Sequence, residues 1–149
     1  MLVHQFLAAD GTASYAIWNA ETDEVILIDP AGDPQPYYDF ANARCSDIVA
    51  VIEMLPQSAA REGNLAVCRA TGATLYVPEQ VAATGQHLAR LIPGDTLTFG
   101  GTMFQALHPL DEAPGISLLV ERSEDEYAVF AGSVPLLGAA ASVLSAFLM

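Results

Sequence analysis

The chain has 149 residues, of which 52% are hydrophobic, and its five arginines and 18 acidic residues give a net charge of −13 at pH 7. This length predicts one domain with a single core, and the negative charge argues against nucleic acid or anionic lipid as a partner. No apolar run reaches the ~20 residues of a membrane-spanning helix, and residues 1–6 lack the features of a secretory signal, so we expect a cytoplasmic protein.

The first third of the chain predicts an antiparallel meander. Apolar runs bounded by turn residues indicate three strands, at residues 2–7, 13–18 and 24–28. Asp10 and Gly11 supply the tight turn between the first two strands. A proline-rich connection then leads into a short helix, expected over residues 37–43.

The middle of the chain predicts a parallel crossover. Residues 48–52 form a continuous apolar run, which favours a strand buried on both faces. A helix follows from about residue 62 to Gly72, a typical left-handed helix cap, and a strand follows at residues 73–77. Strand, helix and strand of this length are typical of a right-handed crossover.

The second half predicts a short helix within residues 78–91 and then mainly antiparallel strands, at residues 96–99, 103–107, 116–121 and 127–131. The uncharged tail, residues 138–149, predicts a helix about 18 Å long. Because it is apolar around most of its circumference, we expect it to be buried. Packing in its own core, a subunit interface and membrane contact are the alternatives.

Two cysteines, Cys45 and Cys68, lie far apart and form no Cys-x-x-Cys pair. This spacing gives no indication of a disulfide framework or a thiolate zinc site. We expect both thiols to be free and mostly buried, since cysteine packs like a small hydrophobic residue.

Four short motifs and the order of the elements resemble the metallo-β-lactamase fold superfamily, in its persulfide dioxygenase and glyoxalase II branch. The motifs are VILIDP at 25–30, ATGATLYV at 70–77, IPGDTLTFG at 92–100 and VFAGS at 129–133. The resemblance covers about residues 1–137. It implies an α/β (α+β) fold, an αββα sandwich, with residues 1–149 as one domain that is shortened at its C-terminus.

The departures from the family lie first in the loop after the strand that ends near Glu53. Relatives carry a Thr-His-x-His-x-Asp-His motif there, which binds one or two metal ions. This chain keeps the family's proline and Gly-Asn but has no such donors at the four ligand positions, which are Leu55, Gln57, Ala59 and Ala60. Zinc and iron sites need several His, Asp or Glu donors around one ion.

Two further loops depart in the same way. The ligand histidine of a downstream loop falls near Asp111 or Glu112, and Ser133 stands where the family has a bridging aspartate. The chain also stops at Met149, before the region that supplies the family's last histidine. Losses at separate loops predict that metal catalysis has been given up and that the chain has no metal cofactor.

The leading hypothesis is therefore a catalytically inactive relative that acts as a binding, assembly or structural subunit. We expect a homodimer, or a place in a larger protein assembly, through the apolar tail. The alternative is a metal-dependent hydrolase or a persulfide dioxygenase or glyoxalase II-like enzyme. Its relocated zinc or iron site would draw on other donors, namely Glu53, His87, His108, Asp111 and Glu112.

A third possibility is a surviving pocket under the loop that binds a small thiol or an acyl thioester without turnover. Only Arg61 lies near the loop to meet the negative charge of such a ligand. We expect the side chains at the four former ligand positions to fill the former metal pocket with contacts and to coordinate no ion.

Overall fold

A computed structural model describes residues 2–9, 11–110, 114–131 and 134–137. It contains eleven strands and two helices within those ranges. In chain order they are β1 (Leu2–Leu7), β2 (Ala13–Asn19), β3 (Glu24–Ile28), α1 (Gln35–Ala43), β4 (Asp47–Ile52), α2 (Arg61–Thr71), β5 (Thr74–Val77), β6 (Leu88–Arg90), β7 (Thr96–Phe99), β8 (Thr102–Leu107), β9 (Ser117–Ser123), β10 (Glu126–Ala131) and β11 (Val134–Leu137).

The first sheet has six strands in the order β1 to β6. Its first three strands form the predicted antiparallel meander, and β3, β4, β5 and β6 run parallel. Helix α1 connects β3 to β4 and α2 connects β4 to β5, so two of the three parallel connections cross over through a helix, whereas the segment from β5 to β6 contains none. This half of the chain confirms the predicted crossover architecture.

Both helices have local reasons for their boundaries. The amide of Gln35 donates to Asp33 Oδ1 at 3.0 Å, and a proline occupies the first turn of α1, where its missing N–H costs nothing. Helix α2 ends at Gly72, whose φ of 80° is left-handed and whose amide donates to Cys68 O at 2.8 Å. The predicted glycine cap is confirmed.

The second sheet has five antiparallel strands in the order β11-β10-β9-β8-β7. The two sheets pack face to face around one apolar cluster. Its members alternate along the strands, as period-two burial requires, and they include Ile17, Ile28, Ile52, Phe104 and Phe130. The layered α/β architecture agrees with the predicted fold class.

The outer faces of the two sheets differ. A second apolar cluster joins the outer side of the first sheet, through residues such as Leu27 and Leu75, to Phe40 of α1 and Val67 of α2. On the second sheet the outward positions include Leu119 and Val129, which lie opposite each other and are half-buried. Among the described residues, no helix covers that face.

Three sequence predictions need correction. Residues 78–91 contain no helix but an irregular segment with turns that leads into β6. The segment is held by Arg90, whose guanidinium donates to the carbonyls of Val81 and Ala83. The strand at 127–131 is not the last, because β11 follows it. Both thiols are free as predicted, but only Cys68 is buried, whereas Cys45 is exposed in the turn after α1.

The predicted tail helix, residues 138–149, lies outside the described residues, and the extent of the domain stays a prediction. Within the described part of the chain, neither helix has the length and apolar character needed to cross a bilayer.

Candidate functional site

The loop after β4 begins between two neighbouring segments. The carbonyl of Ile52 accepts the amide of Asp29, and the amide of Glu53 donates to Tyr76 O, each at 2.9 Å. The loop therefore leaves the sheet at the carboxyl end of its parallel strands, where open α/β sheets place ligands. Helix α2 begins eight residues after Glu53, at Arg61.

A buried carboxylate fastens this loop. Glu53 is 1% exposed, and both of its oxygens are engaged. The guanidinium of Arg61 donates to Oε1 at 2.9 and 3.1 Å, and Asn64 Nδ2 donates to Oε2 at 2.8 Å. Arg61 also donates to Pro56 O at 3.0 Å. The start of α2 and the loop backbone are thus tied to one acidic group.

A second acidic group supports the same loop from the end of β3. Asp29 adopts a positive φ of 52°, and its Oδ1 accepts the amide of Met54 at 2.9 Å. Burial raises the pKa of the Asp29 carboxyl to about 6; the Met54 hydrogen bond opposes that shift and the charge of Glu53 adds to it. Asp29 is therefore a titratable group near neutral pH.

The second sheet reaches the loop through the segment before β9. The amide of Ile116 donates to Met54 O at 2.9 Å. Gly115 has a φ of 110°, and a Cβ there would lie 2.0 Å from the same carbonyl. Only glycine allows this close approach.

The four former ligand positions do not fill a pocket. Leu55 is 45% exposed, Gln57 and Ala59 are exposed, and Ala60 is half-buried at the start of α2. The expectation of a filled metal pocket is therefore wrong for this part of the chain. The loop is held instead by the ion pair between Glu53 and Arg61 and by the hydrogen bond from Arg61 to Pro56 O. The side chains between these residues are therefore not needed for packing.

These residues do not fit a metal ion. Leucine and alanine have no lone pairs to donate, and hydrogen bonds from Arg61 and Asn64 use both oxygens of Glu53. Within the described ranges, no three His, Cys, Asp or Glu side chains are grouped closely enough to bind a metal. Asp111, Glu112 and Ser133 lie outside those ranges, so their predicted roles stay predictions.

The histidines of the alternative site lie apart. His87 Nδ1 is 3.1 Å from Ala73 O, at the amino end of β5, whereas Glu53 follows the carboxyl end of the parallel strand β4. The structure thus places His87 and Glu53 at opposite ends of the sheet, and a site containing both is wrong. His108 is exposed after β8.

Two adjoining cavities flank the loop. One, of about 220 Å³, includes Ala59, Ala60 and Asn64 in its lining. The other, of about 480 Å³, lies between the β1–β2 turn, Asp29 and α1. Tyr37 lines both. Sequence reasoning missed the larger cavity and the part that Asp29 and Arg61 play in the site, although the Ile-Asp-Pro motif after β3 was a signal for Asp29.

Solved structures share this fold. A metallo-beta-lactamase from Staphylococcus aureus subsp. aureus COL superposes with a TM-score of 0.69 at 25% identity, over 80% of this chain and 38% of its own. ETHE1 from Myxococcus xanthus gives 0.69 at 21% identity, over 85% and 56%. BJP-1, a subclass B3 metallo-beta-lactamase of Bradyrhizobium japonicum, gives 0.60 at 20% identity, over 94% and 66%.

The chain spans between about two fifths and two thirds of the length of these proteins. No protein-family model and no curated protein matches the sequence. The order of the strands, the helical crossovers and the solved structures agree with the motifs at 25–30 and 70–77. The chain therefore has the metallo-β-lactamase fold, as the sequence predicted.

Proposed function

We propose that this protein is a catalytically inactive member of the metallo-β-lactamase fold that acts as a binding or assembly subunit. One observation carries the proposal: the loop after β4 is held by a protein cation, Arg61, whose guanidinium binds Glu53 and Pro56. The side chains of Leu55, Ala59 and Ala60 add no donor to that loop.

The network around Glu53 explains why the loop frame persists without metal ligands. A buried carboxylate without a partner would cost several kcal/mol, at roughly 3–5. Arg61 and Asn64 remove that cost with three hydrogen bonds. The loop and the start of α2 are thereby fixed in a geometry that requires no ion, and the surface above them is available for contacts.

Within the superfamily, we propose descent from the branch that includes persulfide dioxygenases and glyoxalase II. The sequence motifs at 70–77 and 92–100 support this placement, and so does the similarity to ETHE1 from Myxococcus xanthus. The branch's activity is not part of the proposal, because the ligand positions of the first loop carry Leu55, Ala59 and Ala60.

The assembly role is supported by the outer face of the second sheet. Leu119 and Val129 are half-buried there without joining either apolar cluster. Extended apolar patches mark protein interfaces, and we propose that Leu119 and Val129 belong to such an interface with a second copy of the chain. Light scattering coupled to size exclusion checks it: a dimer is expected, and a monomer at all concentrations would contradict the assembly role.

A cytoplasmic setting belongs to the same proposal. It is supported by the two free cysteines, one of them exposed, since an oxidising compartment favours disulfide formation.

Metal analysis of the full chain, purified without a histidine tag, tests the loss of catalysis. After incubation with zinc, iron or manganese and removal of free ions, we expect far less than one ion per chain. Stoichiometric metal would overturn the proposal. A matched variant with Leu55→His, Gln57→His, Ala59→Asp and Ala60→His restores the family donors. Zinc binding by that variant alone would show that the loop frame is intact and only its donors are missing.

A further inference from the structure

The larger cavity has no part in the proposed function. It has a volume of about 480 Å³, within the usual range for small-molecule sites. Its walls come from the β1–β2 hairpin, the segment after β3 and the first turn of α1. The residues that the argument uses are Phe6, Ser14, Asp29, Asp33 and Tyr37.

An aromatic corner forms one side of the cavity. The rings of Phe6 and Tyr37 meet edge to face, with centroids 4.8 Å apart. The Tyr37 hydroxyl is fixed by Ser14 Oγ at 2.8 Å and by the backbone of Ala31, whose amide donates to it at 3.0 Å. The corner is therefore preorganised, and aromatic faces of this kind attract cations.

Two carboxylates supply the charge of the cavity. Asp29 is partly buried, and one of its oxygens holds the Met54 amide. Among the described residues, the other oxygen makes no hydrogen bond, and Asp29 forms part of the wall of the cavity. Asp33 is exposed at the rim, where its Oδ1 accepts the Gln35 amide.

Among the described residues, no positively charged side chain lines the cavity with these carboxylates. The chain contains no lysine, and none of the described arginines lines this space. Arg61 is committed to Glu53 and Pro56. The field within the cavity is therefore negative, and it repels anionic ligands such as carboxylates and phosphates.

We infer that this cavity is a binding site for a small primary amine with an aromatic or apolar body, whose ammonium group pairs with Asp29. The body of the ligand lies against Phe6 and Tyr37, and the hydroxyl of Ser14 lies beside it. Such a ligand satisfies both the negative charge and the apolar walls, which a neutral or anionic molecule does not.

Ammonium binding requires the ionised form of Asp29, so affinity depends on pH. Burial places the pKa of this carboxyl at about 6. The titratable groups near it are Glu53 at the end of β4, Tyr15 on β2, Tyr37 on α1 and the rim residue Asp33. Raising the pH through about 6 ionises Asp29 and is expected to strengthen amine binding.

Isothermal titration calorimetry of the full chain tests the inference with three compounds of one shape: phenethylamine, phenethyl alcohol and phenylacetate. At about pH 7.5 the amine is expected to bind about tenfold more tightly than the alcohol, and the acid least of all. At about pH 5, where roughly a tenth of Asp29 is ionised, the amine should lose about tenfold in affinity. Equal affinities for the amine and the alcohol, or no pH dependence, would overturn the inference.

Two variants with the same charge change sharpen the test. Asp29→Asn keeps an acceptor for the Met54 amide but removes the charge, and should abolish the preference for the amine. Asp23→Asn is the matched control, because Asp23 also has a positive φ, of 54°, but lies in the β2–β3 turn outside the cavity. It should bind the amine as the parent does. Preference retained in Asp29→Asn, or lost equally in both variants, would contradict the assignment.

The inference goes beyond the proposed function and fails separately from it. A chain without stoichiometric metal that shows no amine preference would refute this site and leave the metal-free scaffold in place. A chain that binds metal but prefers the amine would refute the scaffold proposal alone.

Discussion

The two sheets of this protein are completed to different degrees within the described residues. The outer face of the first sheet packs against α1 and α2, and Leu75 there is fully buried. The corresponding face of the second sheet carries Leu119 and Val129, which are only half-buried. The outer face of the first sheet is therefore covered by contacts within residues 2–91, while the outer face of the second sheet is only half-buried at Leu119 and Val129 by the described residues.

The largest effect on this contrast is expected from a substitution of Arg61, which fixes the start of α2 on the first sheet. The variant Arg61→Ala leaves Glu53 buried without its cation, which is expected to destabilise the fold by roughly 3–5 kcal/mol. Urea unfolding followed by circular dichroism measures the loss. Arg69→Ala, in the exposed last turn of the same helix, is the control and should change stability by less than about 0.5 kcal/mol.

A matched leucine pair tests the two faces directly. Leu75→Ala creates a cavity beneath α2 and is expected to cost about 2–5 kcal/mol. Leu119→Ala, on the open face, should cost about 1 kcal/mol, because little packing is lost there. The same unfolding experiment compares them at a low protein concentration. Equal losses would show that the second face is covered as tightly as the first.

Asp29, which follows the carboxyl end of β3, is expected to make the stability of the fold depend on pH. Its folded-state pKa, about 6, lies above the ordinary value of 3.8, so the folded chain holds this proton more firmly than the unfolded chain. That contribution to stability is full below about pH 3.8 and is lost as the pH rises through about 6.

Removing the charge should therefore help most at neutral pH. Relative to the parent, Asp29→Asn is expected to gain up to about 3 kcal/mol between about pH 4 and pH 7. Urea unfolding at both pH values measures the difference. Asp23→Asn should show no such gain, and a gain of equal size in both variants would remove Asp29 as its source.

The smallest expected effect is a difference in thiol reactivity. Cys68 lies on the buried face of α2, and burial, with Glu53 as a second cause, raises its pKa to about 11. Cys45 is exposed. Since the thiolate is the reactive form, iodoacetamide should label one cysteine per native chain, and mass spectrometry of peptides should identify it as Cys45. Rapid labelling of Cys68 would show that the helix cover opens readily.

The sequence predicted the parts of the fold that local patterns determine. Apolar runs gave most of the strands, and Gly72 gave the end of α2. The helix expected within 78–91 was wrong because a tertiary contact overrides local propensity there. Arg90 binds carbonyls seven and nine residues before it, so the segment folds back on itself as a loop instead of forming a helix.

The candidate site was likewise predictable from the sequence only in part. The residue types at Leu55, Ala59 and Ala60 were enough to predict the loss of metal donors. Their exposure was not predictable, because it depends on bonds between distant residues. Asp29 reaches Met54 across 25 positions, and Arg61 reaches back across eight to Glu53. No periodic pattern in the sequence encodes such pairs.

The order of the strands has a consequence for how the chain folds. Every strand pair in the described sheets joins strands that are consecutive in sequence. Pairing of this kind closes short loops and lowers the contact order, which favours rapid formation of each sheet on its own. During synthesis the first sheet, with both helices, is expected to form once β6 has emerged. Docking of the second sheet onto it, which brings Ile116 to Met54, would then be the slow and cooperative step.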